Sequence, residues 1–238
     1  MKTRLTKMTE EEAIGRGLPK GAHTYRGMVG GHYDLGGALQ FNILTFVLGL
    51  REHHFLLDIG CGSLRAGRLF IPYLKKGHYY GIEPEMWMVE EGMAKELGRG
   101  IKTAKKPIFS DNEDFDLTIF SRKFDYLLAC SIFTHASVVQ IKKCLAEAKQ
   151  VLKPQGIFAF TFLEGITEWP GDEWCPAPRF YTQEHIGEYI AENGLVGYFI
   201  ENVRKFEPIE WPEAVTQKWG LAVGPEHETI GDIVERFV

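Results

Sequence analysis

The stretch that most constrains this chain is Phe55 to Gly67, which reads FLLDIGCGSLRAG. A short apolar run, Phe55-Leu56-Leu57, ends in Asp58. The chain then passes Gly60 and Gly62 into a segment, Leu64 to Leu74, whose apolar residues recur at helical spacing. The reading is strand, glycine turn, helix. Two glycines allow backbone conformations closed to other residues and place no side chain between the turn and a ligand. In an open α/β sheet, the carboxyl end of a buried strand is where ligands are held.

Spacing discriminates among the cofactors that use such turns. A dinucleotide fold asks for G-x-G-x-x-G, and here the third glycine is replaced by Arg65. No Lys-Ser or Lys-Thr follows to make a phosphate loop. One further repeat along, His78 to Glu83 (HYYGIE) reads as a second strand ending in an acid, 25 positions after Asp58. If the two strands are parallel neighbours about 5 Å apart, Glu83 stands at the same sheet edge as the turn. A carboxylate there can accept both hydroxyls of a ribose.

The repeats continue. Met86, Val89, Met93 and Leu97 make one helical face ended by Gly98. Ile101 to Ile108 has room only for a short strand, with Phe109-Ser110-Asp111-Asn112 at its end. Phe124 to Ala129 is a buried strand followed by Cys130-Ser131-Ile132-Phe133-Thr134-His135. Val138, Ile141, Leu145, Ala148 and Leu152 form a helix face, Lys153-Pro154-Gln155-Gly156 a turn, and Ile157 to Phe162 a fifth strand. Beyond a loop rich in proline and aromatics (Trp169 to Pro176), Thr182 opens a helix, Leu195 to Ile200 gives a sixth strand, Trp219 to Val223 a seventh, and Ile230 to Val238 a terminal helix.

Asp58-x-Gly60-x-Gly62, the acid at Glu83, the Phe124-Asp125 strand and the Leu152-Lys153-Pro154-x-Gly156 turn resemble, in order, the class I S-adenosylmethionine-dependent methyltransferases over roughly Phe55 to Ile200. The run Gly60-Cys61-Gly62-Ser63-Leu64-Arg65 looks like a bacterial subgroup acting on small molecules. Leu64 departs from the pattern, standing where the family carries its third glycine.

The resemblance implies a Rossmann-like, doubly wound α/β sheet of seven mostly parallel strands with an antiparallel last strand. It implies S-adenosylmethionine as cofactor and S-adenosylhomocysteine as product. The methionine part would lie against Asp58, Gly60, Cys61, Gly62 and the Ala129-Cys130 strand end. Glu83 would hold the ribose, and Asp111 and Asn112 the adenine, with Ile82 or Phe133 beside it. Arg65 and Gln40 are candidates for the methionine carboxylate, although Arg65 equally suits a surface charge on the first helix turn.

His135 is the foremost candidate base, since it follows strand four and its unperturbed pKa is near 6.5. A structural histidine is the competing reading, and His32, Tyr33 and Glu164 are further alternatives. Trp169, Trp174, Phe180 and Tyr181 suit either an acceptor pocket or loop packing.

Length, charge and cysteine usage set the remaining bounds. At 238 residues the chain suits one α/β domain. Residues 1–50 read as a helical, glycine-rich lid segment and 51–238 as the cofactor-binding domain. A capping box at Thr9 to Glu12 opens a short helix. The glycine- and ring-rich stretch Gly21 to Gly37 suits a lid or a surface wrap, and Ala38 to Leu50 a buried helix.

Net charge is −5 with scattered Lys and Arg, which disfavours nucleic acid. The sequence has neither a membrane-length apolar run nor a signal-peptide core, so a cytoplasmic protein is expected. Four cysteines without C-x-x-C spacing suggest reduced thiols and no metal site. Three readings stay open: a methyltransferase for a small-molecule acceptor, at oxygen or nitrogen; a non-catalytic S-adenosylmethionine-binding protein of the same fold; and a nicotinamide-dependent oxidoreductase, against which the missing third glycine counts. The acceptor and the oligomeric state are not encoded legibly.

Overall fold

A computed structural model describes residues 7–18, 20–30, 32–166, 171–175, 177–200 and 217–235. The short helix α1 (Glu10–Gly15) begins at the expected capping box, in which Thr9 Oγ1 accepts from the Glu12 N–H and the Glu12 carboxylate accepts from the Thr9 N–H. Helix α2 (Tyr33–Asn42) continues as a widened turn over Ile43–Val47. It therefore starts five residues before the expected Ala38. The reason is tertiary: Gly36 and Gly37 pass so close to Arg65 that a methyl on Gly37 would lie 2.2 Å from the Arg65 carbonyl oxygen.

Strands β1 (Leu56–Ile59), β2 (Tyr79–Ile82) and β3 (Ile108–Ser110) alternate with helices α3 (Gly67–Tyr73), α4 (Met86–Gly92) and α5 (Ile101–Lys105). The segment expected to hold only a short strand thus opens with a helical turn, and extended chain begins after Pro107, whose ring cannot continue a helix. Then follow β4 (Phe124–Ala129), α6 (Val138–Val151), β5 (Leu152–Glu164), β6 (Phe180–Tyr181), α7 (Gln183–Glu192), β7 (Val196–Ile200), β8 (Lys218–Val223) and α8 (Ile230–Glu235).

The sheet order is β3-β2-β1-β4-β5-β8-β7, with β6 pairing β5 off that path. Among the described strands, β8 alone runs opposite to the rest, antiparallel to both β5 and β7. The described residues therefore hold eight strands where seven were expected; the addition, β6, is two residues long and carries no readable periodicity. Lys153 to Gly156 is a bulge, not a free turn: Phe124 pairs Leu152 while Tyr126 pairs Ile157. Helix α8 covers the start of the expected terminal helix, and residues 236–238 lie outside the described part.

The two faces of the sheet bury separate cores. Leu56 faces Ile43, Leu44, Phe70 and Val89, whereas Leu57 and Ile59 face Ile141, Leu145, Ile186 and Ile190. Alternation along β1 assigns each side chain to one layer. Helix α6 shows why its side forms. Ile141, Cys144, Leu145 and Ala148 recur at i, i+3, i+4 and i+7 and are all buried, and a Ser137–Gln140 capping box fixes the start. Truncating Leu145 to alanine would cost about 2–5 kcal/mol.

At the sheet's opposite edge, Asp125 explains the Phe-Asp pairing of β4: its carboxylate accepts from the Phe55 N–H at 2.8 Å and from Lys153 Nζ at 2.8 Å, tying three strand starts together. The strand order reverses between β1 and β4, so the carboxyl ends of β1, β2 and β4 flank the switch point where doubly wound sheets take ligands.

Candidate functional site

Ile59 pairs with Ile82 in the parallel register, so the residues that follow, Gly60 and Glu83, leave the sheet at the same edge. Gly60 (φ +68°) and Gly62 (φ +54°) take left-handed conformations, which bend the chain back toward β2. Glu83 meets that bend. Its Oε2 accepts from the Gly62 N–H at 2.9 Å and its Oε1 from the Glu85 N–H at 2.9 Å. Burial to 7 % exposure raises the Glu83 pKa, and the N–H donors of Glu85 and Gly62 oppose that rise. Each oxygen uses one lone pair on the main chain. A carboxylate offers about four acceptor positions, so capacity for a diol remains.

The space above the bend is filled by the protein itself. A methyl on Gly60 would lie 2.1 Å from Ile132 Cδ1, and one on Gly62 would lie 2.5 Å from Val29 Cγ1. Both glycines are therefore required twice, for φ and for contact. Instead of an open cradle, the turn carries an apolar roof drawn from the N-terminal segment and from the loop after β4. Neither Val29 nor Ile132 is distinguishable in the sequence from ordinary core residues.

Leu64 also takes a left-handed φ, +66°, and is fully buried. The turn keeps the backbone shape that a glycine would supply while using the position to fill the core. A non-glycine residue in this conformation costs about 1–2 kcal/mol, less than the roughly 1.5–3 kcal/mol that burying a leucine returns.

The remaining candidates divide clearly. Asp58 lies behind the turn: it is 4 % exposed, its Oδ2 accepts from the Tyr79 hydroxyl at 2.7 Å, and burial pushes its pKa up to about 7. Tyr79, overlooked in the sequence, is thus its anchor. Cys61 is buried beside both acids, and burial raises its thiol well above the ordinary range. Ala129 is fully buried, and Phe133 is fully buried too, its ring packed against Phe158 and Phe160. Asn112 shapes its own loop, its Oδ1 accepting from the N–H groups of Asp114 (3.0 Å) and Asp116 (3.1 Å), while Asp111 is exposed. Gln40 is 5 % exposed, and among the described residues no hydrogen bond reaches its amide.

Arg65 is not a loose surface charge. Its Nη1 donates to the Val29 carbonyl at 2.8 Å, and its Nη2 points at Cys130 Sγ (3.7 Å) and Ser131 Oγ (3.5 Å). Ser131, itself left-handed at φ +62°, donates its N–H to Thr161 Oγ1 at 2.8 Å and receives Gln217 Nε2 on its hydroxyl at 2.9 Å.

His135 is held by the scaffold. Its Nδ1 lies 3.0 Å from the Cys175 carbonyl, its ring stacks on Trp174 at 5.5 Å, and burial lowers its pKa. Tyr33 donates to the Ser63 carbonyl at 2.7 Å, His32 is exposed, and Glu164 pairs with Lys218 at 3.2 Å. Tyr181 donates to the Ala136 carbonyl at 2.6 Å, and Phe180 packs on Gly165. Trp169 falls outside the described residues. A surface hollow of about 360 Å³ between Phe41, Thr45, Phe46, Arg51 and Tyr73 lies near the amino end of β1, away from this edge.

Known proteins share this fold. Residues 57–158 match the family model described as a methyltransferase domain. That stretch of the chain is thus similar to a methyltransferase domain. Among solved structures, an S-adenosylmethionine-dependent methyltransferase from Clostridium acetobutylicum ATCC 824 is 18 % identical with a TM-score of 0.59, covering 85 % of this chain and 97 % of that one. Magnesium protoporphyrin IX methyltransferase from Synechocystis PCC 6803 with bound SAH is 13 % identical with a TM-score of 0.59, covering 92 % and 95 %. The CcbJ methyltransferase from Streptomyces caelestis is 14 % identical with a TM-score of 0.60, covering 84 % and 93 %. At these identities the likeness is one of fold. Among the described residues, no helix is long and apolar enough to cross a membrane, and no group of three or more His, Cys, Asp or Glu side chains is placed to hold a metal ion.

Proposed function

We propose that the protein transfers a methyl group from S-adenosylmethionine to a small-molecule acceptor, at oxygen or nitrogen. The observation that carries this reading is Glu83, a buried carboxylate with lone pairs to spare, facing the Gly60–Gly62 bend across neighbouring parallel strands. In this reading Glu83 accepts the ribose hydroxyls, and the bend and the Ala129-Cys130 strand end border the methionine part. Arg65 and Gln40 take its carboxylate, and Asp111 and Asn112 border the adenine. Asp58 and Cys61 support the bend from behind. Residues 1–50 act as a covering segment on a cofactor-binding domain spanning 51–238.

When bound, the cofactor supplies an already activated methyl group on a sulfonium. What the chain must add is alignment and exclusion of water. The placement of His135 favours this division of labour. A ring that binds the Cys175 carbonyl and stacks on Trp174 positions the 171–175 segment, and proton removal falls to the acceptor or to water. The small-molecule class is supported by relatives of this fold described as magnesium protoporphyrin IX methyltransferase and as a putative O-methyltransferase. The test is calorimetry with S-adenosylmethionine and S-adenosylhomocysteine on wild type and Glu83→Ala. Binding to wild type with a clear loss in the variant is expected; equal affinity removes Glu83 from the site.

A further inference from the structure

The glycine bend is plugged, and the plug is latched. Val29 seats its Cγ1 on Gly62, and its carbonyl holds the guanidinium of Arg65 at 2.8 Å. Three residues before it, Arg26 forms a two-point pair with Glu96, Nε to Oε1 at 2.7 Å and Nη2 to Oε2 at 2.9 Å. Glu96 belongs to the widened turn Met93–Leu97 that extends α4, and its side chain is only 8 % exposed. The Tyr25 hydroxyl adds a third bond to the same carboxylate at 2.7 Å, and the Lys95 ammonium lies 4.8 Å from the Tyr25 ring centre. Asp34 braces the other side, pairing Arg26 at 3.2 Å and Arg68 at 2.9 Å. Gly21 (φ +82°) and Gly30 (φ +89°) bracket this stretch in backbone conformations that other residues rarely take.

We propose that residues 24–30 are a self-occluding strap: the Arg26–Glu96 latch holds Val29 on the glycine bend, and the strap must lift before S-adenosylmethionine can enter. This rests on the cofactor reading above and adds its control. The geometry distinguishes the strap from a cover that closes over a bound ligand. Val29 touches the glycine itself, and Arg65, the cation proposed for the methionine carboxylate, is engaged by the strap's own carbonyl. A carboxylate is a stronger acceptor for a guanidinium than a main-chain carbonyl. Its arrival at Arg65 would displace the Val29 carbonyl, so cofactor entry and strap release are one exchange.

Where the binding-competent state is only fractionally populated, apparent affinity falls by that fraction. An occluded state favoured about tenfold would weaken apparent binding about tenfold, and loosening the latch would recover up to that factor. The experiment uses S-adenosylhomocysteine as the probe on the full chain. Association rates are measured by stopped-flow fluorescence and affinities by calorimetry, for wild type, Arg26→Ala, Glu96→Gln and Val29→Ala. Circular dichroism verifies folding, and Val29→Ala leaves the latch intact should either latch variant fold poorly.

The expected result is faster association and tighter binding in the variants, with amide exchange over residues 24–30 rising when the probe is added to wild type. Weaker binding in the latch variants, with 24–30 protected by the probe, overturns the proposal in favour of a cover that closes on the ligand. Unchanged rates and affinities overturn it while leaving the cofactor reading intact. Absence of binding in wild type and every variant removes the cofactor reading, and the strap with it.

Discussion

The two halves of the sheet edge are built on opposite electrostatic terms. At the ends of β1 and β2, Asp58 and Glu83 are carboxylates whose pKa values burial holds above the ordinary range, each with only one or two hydrogen-bond donors in reach. At the ends of β4 and β5, polar side chains answer one another or the main chain. Ser131, Thr161 and Gln217 form a closed network, Tyr181 binds the Ala136 carbonyl, and His135 binds that of Cys175. An under-satisfied buried acid is costly, and one with spare lone pairs gains most from a polar ligand. A satisfied network gains little and serves to hold a shape. The contrast supports the proposed recognition by Glu83 in the first half and a positioning role for the second.

Asp58 offers the largest expected effect. Its folded pKa of about 7 lies above the ordinary carboxylate value, so between about pH 4 and pH 7 the folded state keeps a proton that the unfolded state has released. Stability contributed by this group is complete at the acid end of that window and is lost as pH rises through 7, a swing of roughly 3–4 kcal/mol at most. Thermal melts from pH 4.5 to 8 are expected to show a falling component that Asp58→Asn flattens. A component that rises with pH, or one indifferent to the substitution, would show that the first half is as well satisfied as the second.

Glu83→Ala comes next, with an expected loss of about 1.5–3 kcal/mol in S-adenosylhomocysteine affinity, the range for hydrogen bonds to a charged group. Glu83→Gln should fall between, because the amide keeps an acceptor but not the charge.

His135→Ala probes the other half. Loss of one hydrogen bond and one ring stack should cost about 1–2 kcal/mol of stability, while leaving the pH dependence of methyl transfer, once an acceptor is found, unchanged in shape. Disappearance of an inflection near neutral pH would instead give the imidazole a role in proton transfer and erase the contrast. The smallest effect belongs to Phe46→Ser. This side chain is 78 % exposed on the rim of the hollow near the amino end of β1, and its replacement should move stability by no more than about 0.5 kcal/mol and affinity not at all.

Legibility in the sequence followed the range of the interactions concerned. The positions of α1, β1, β2, β4 and α6 were readable because a capping box, short apolar runs and a period of 3.6 are local signals. The early start of α2 was hidden, because its two glycines pack on the distant Arg65, Gly37 on its backbone and Gly36 on its side chain. Strand β6 was hidden because two residues carry no period. At the site, the facing of Gly60 and Glu83 followed from the length of one βαβ repeat. The seating of Val29 and Ile132 on the glycines, and the bond between Tyr79 and Asp58, depend on pairings 21 or more positions apart that no spacing rule encodes.

Leu64 joins the bend to the interior. Because its backbone is wound left-handed while its side chain is buried in the layer that also holds Phe70 and Val89, against Gly67 and Gly92, the bend cannot relax without pulling a leucine out of the packed layer beneath it. The loop's contour is thereby inherited from the hydrophobic interior and is available before any small molecule arrives. A cavity-forming substitution in that layer should blunt affinity at the proposed cofactor site without altering a single contacting residue.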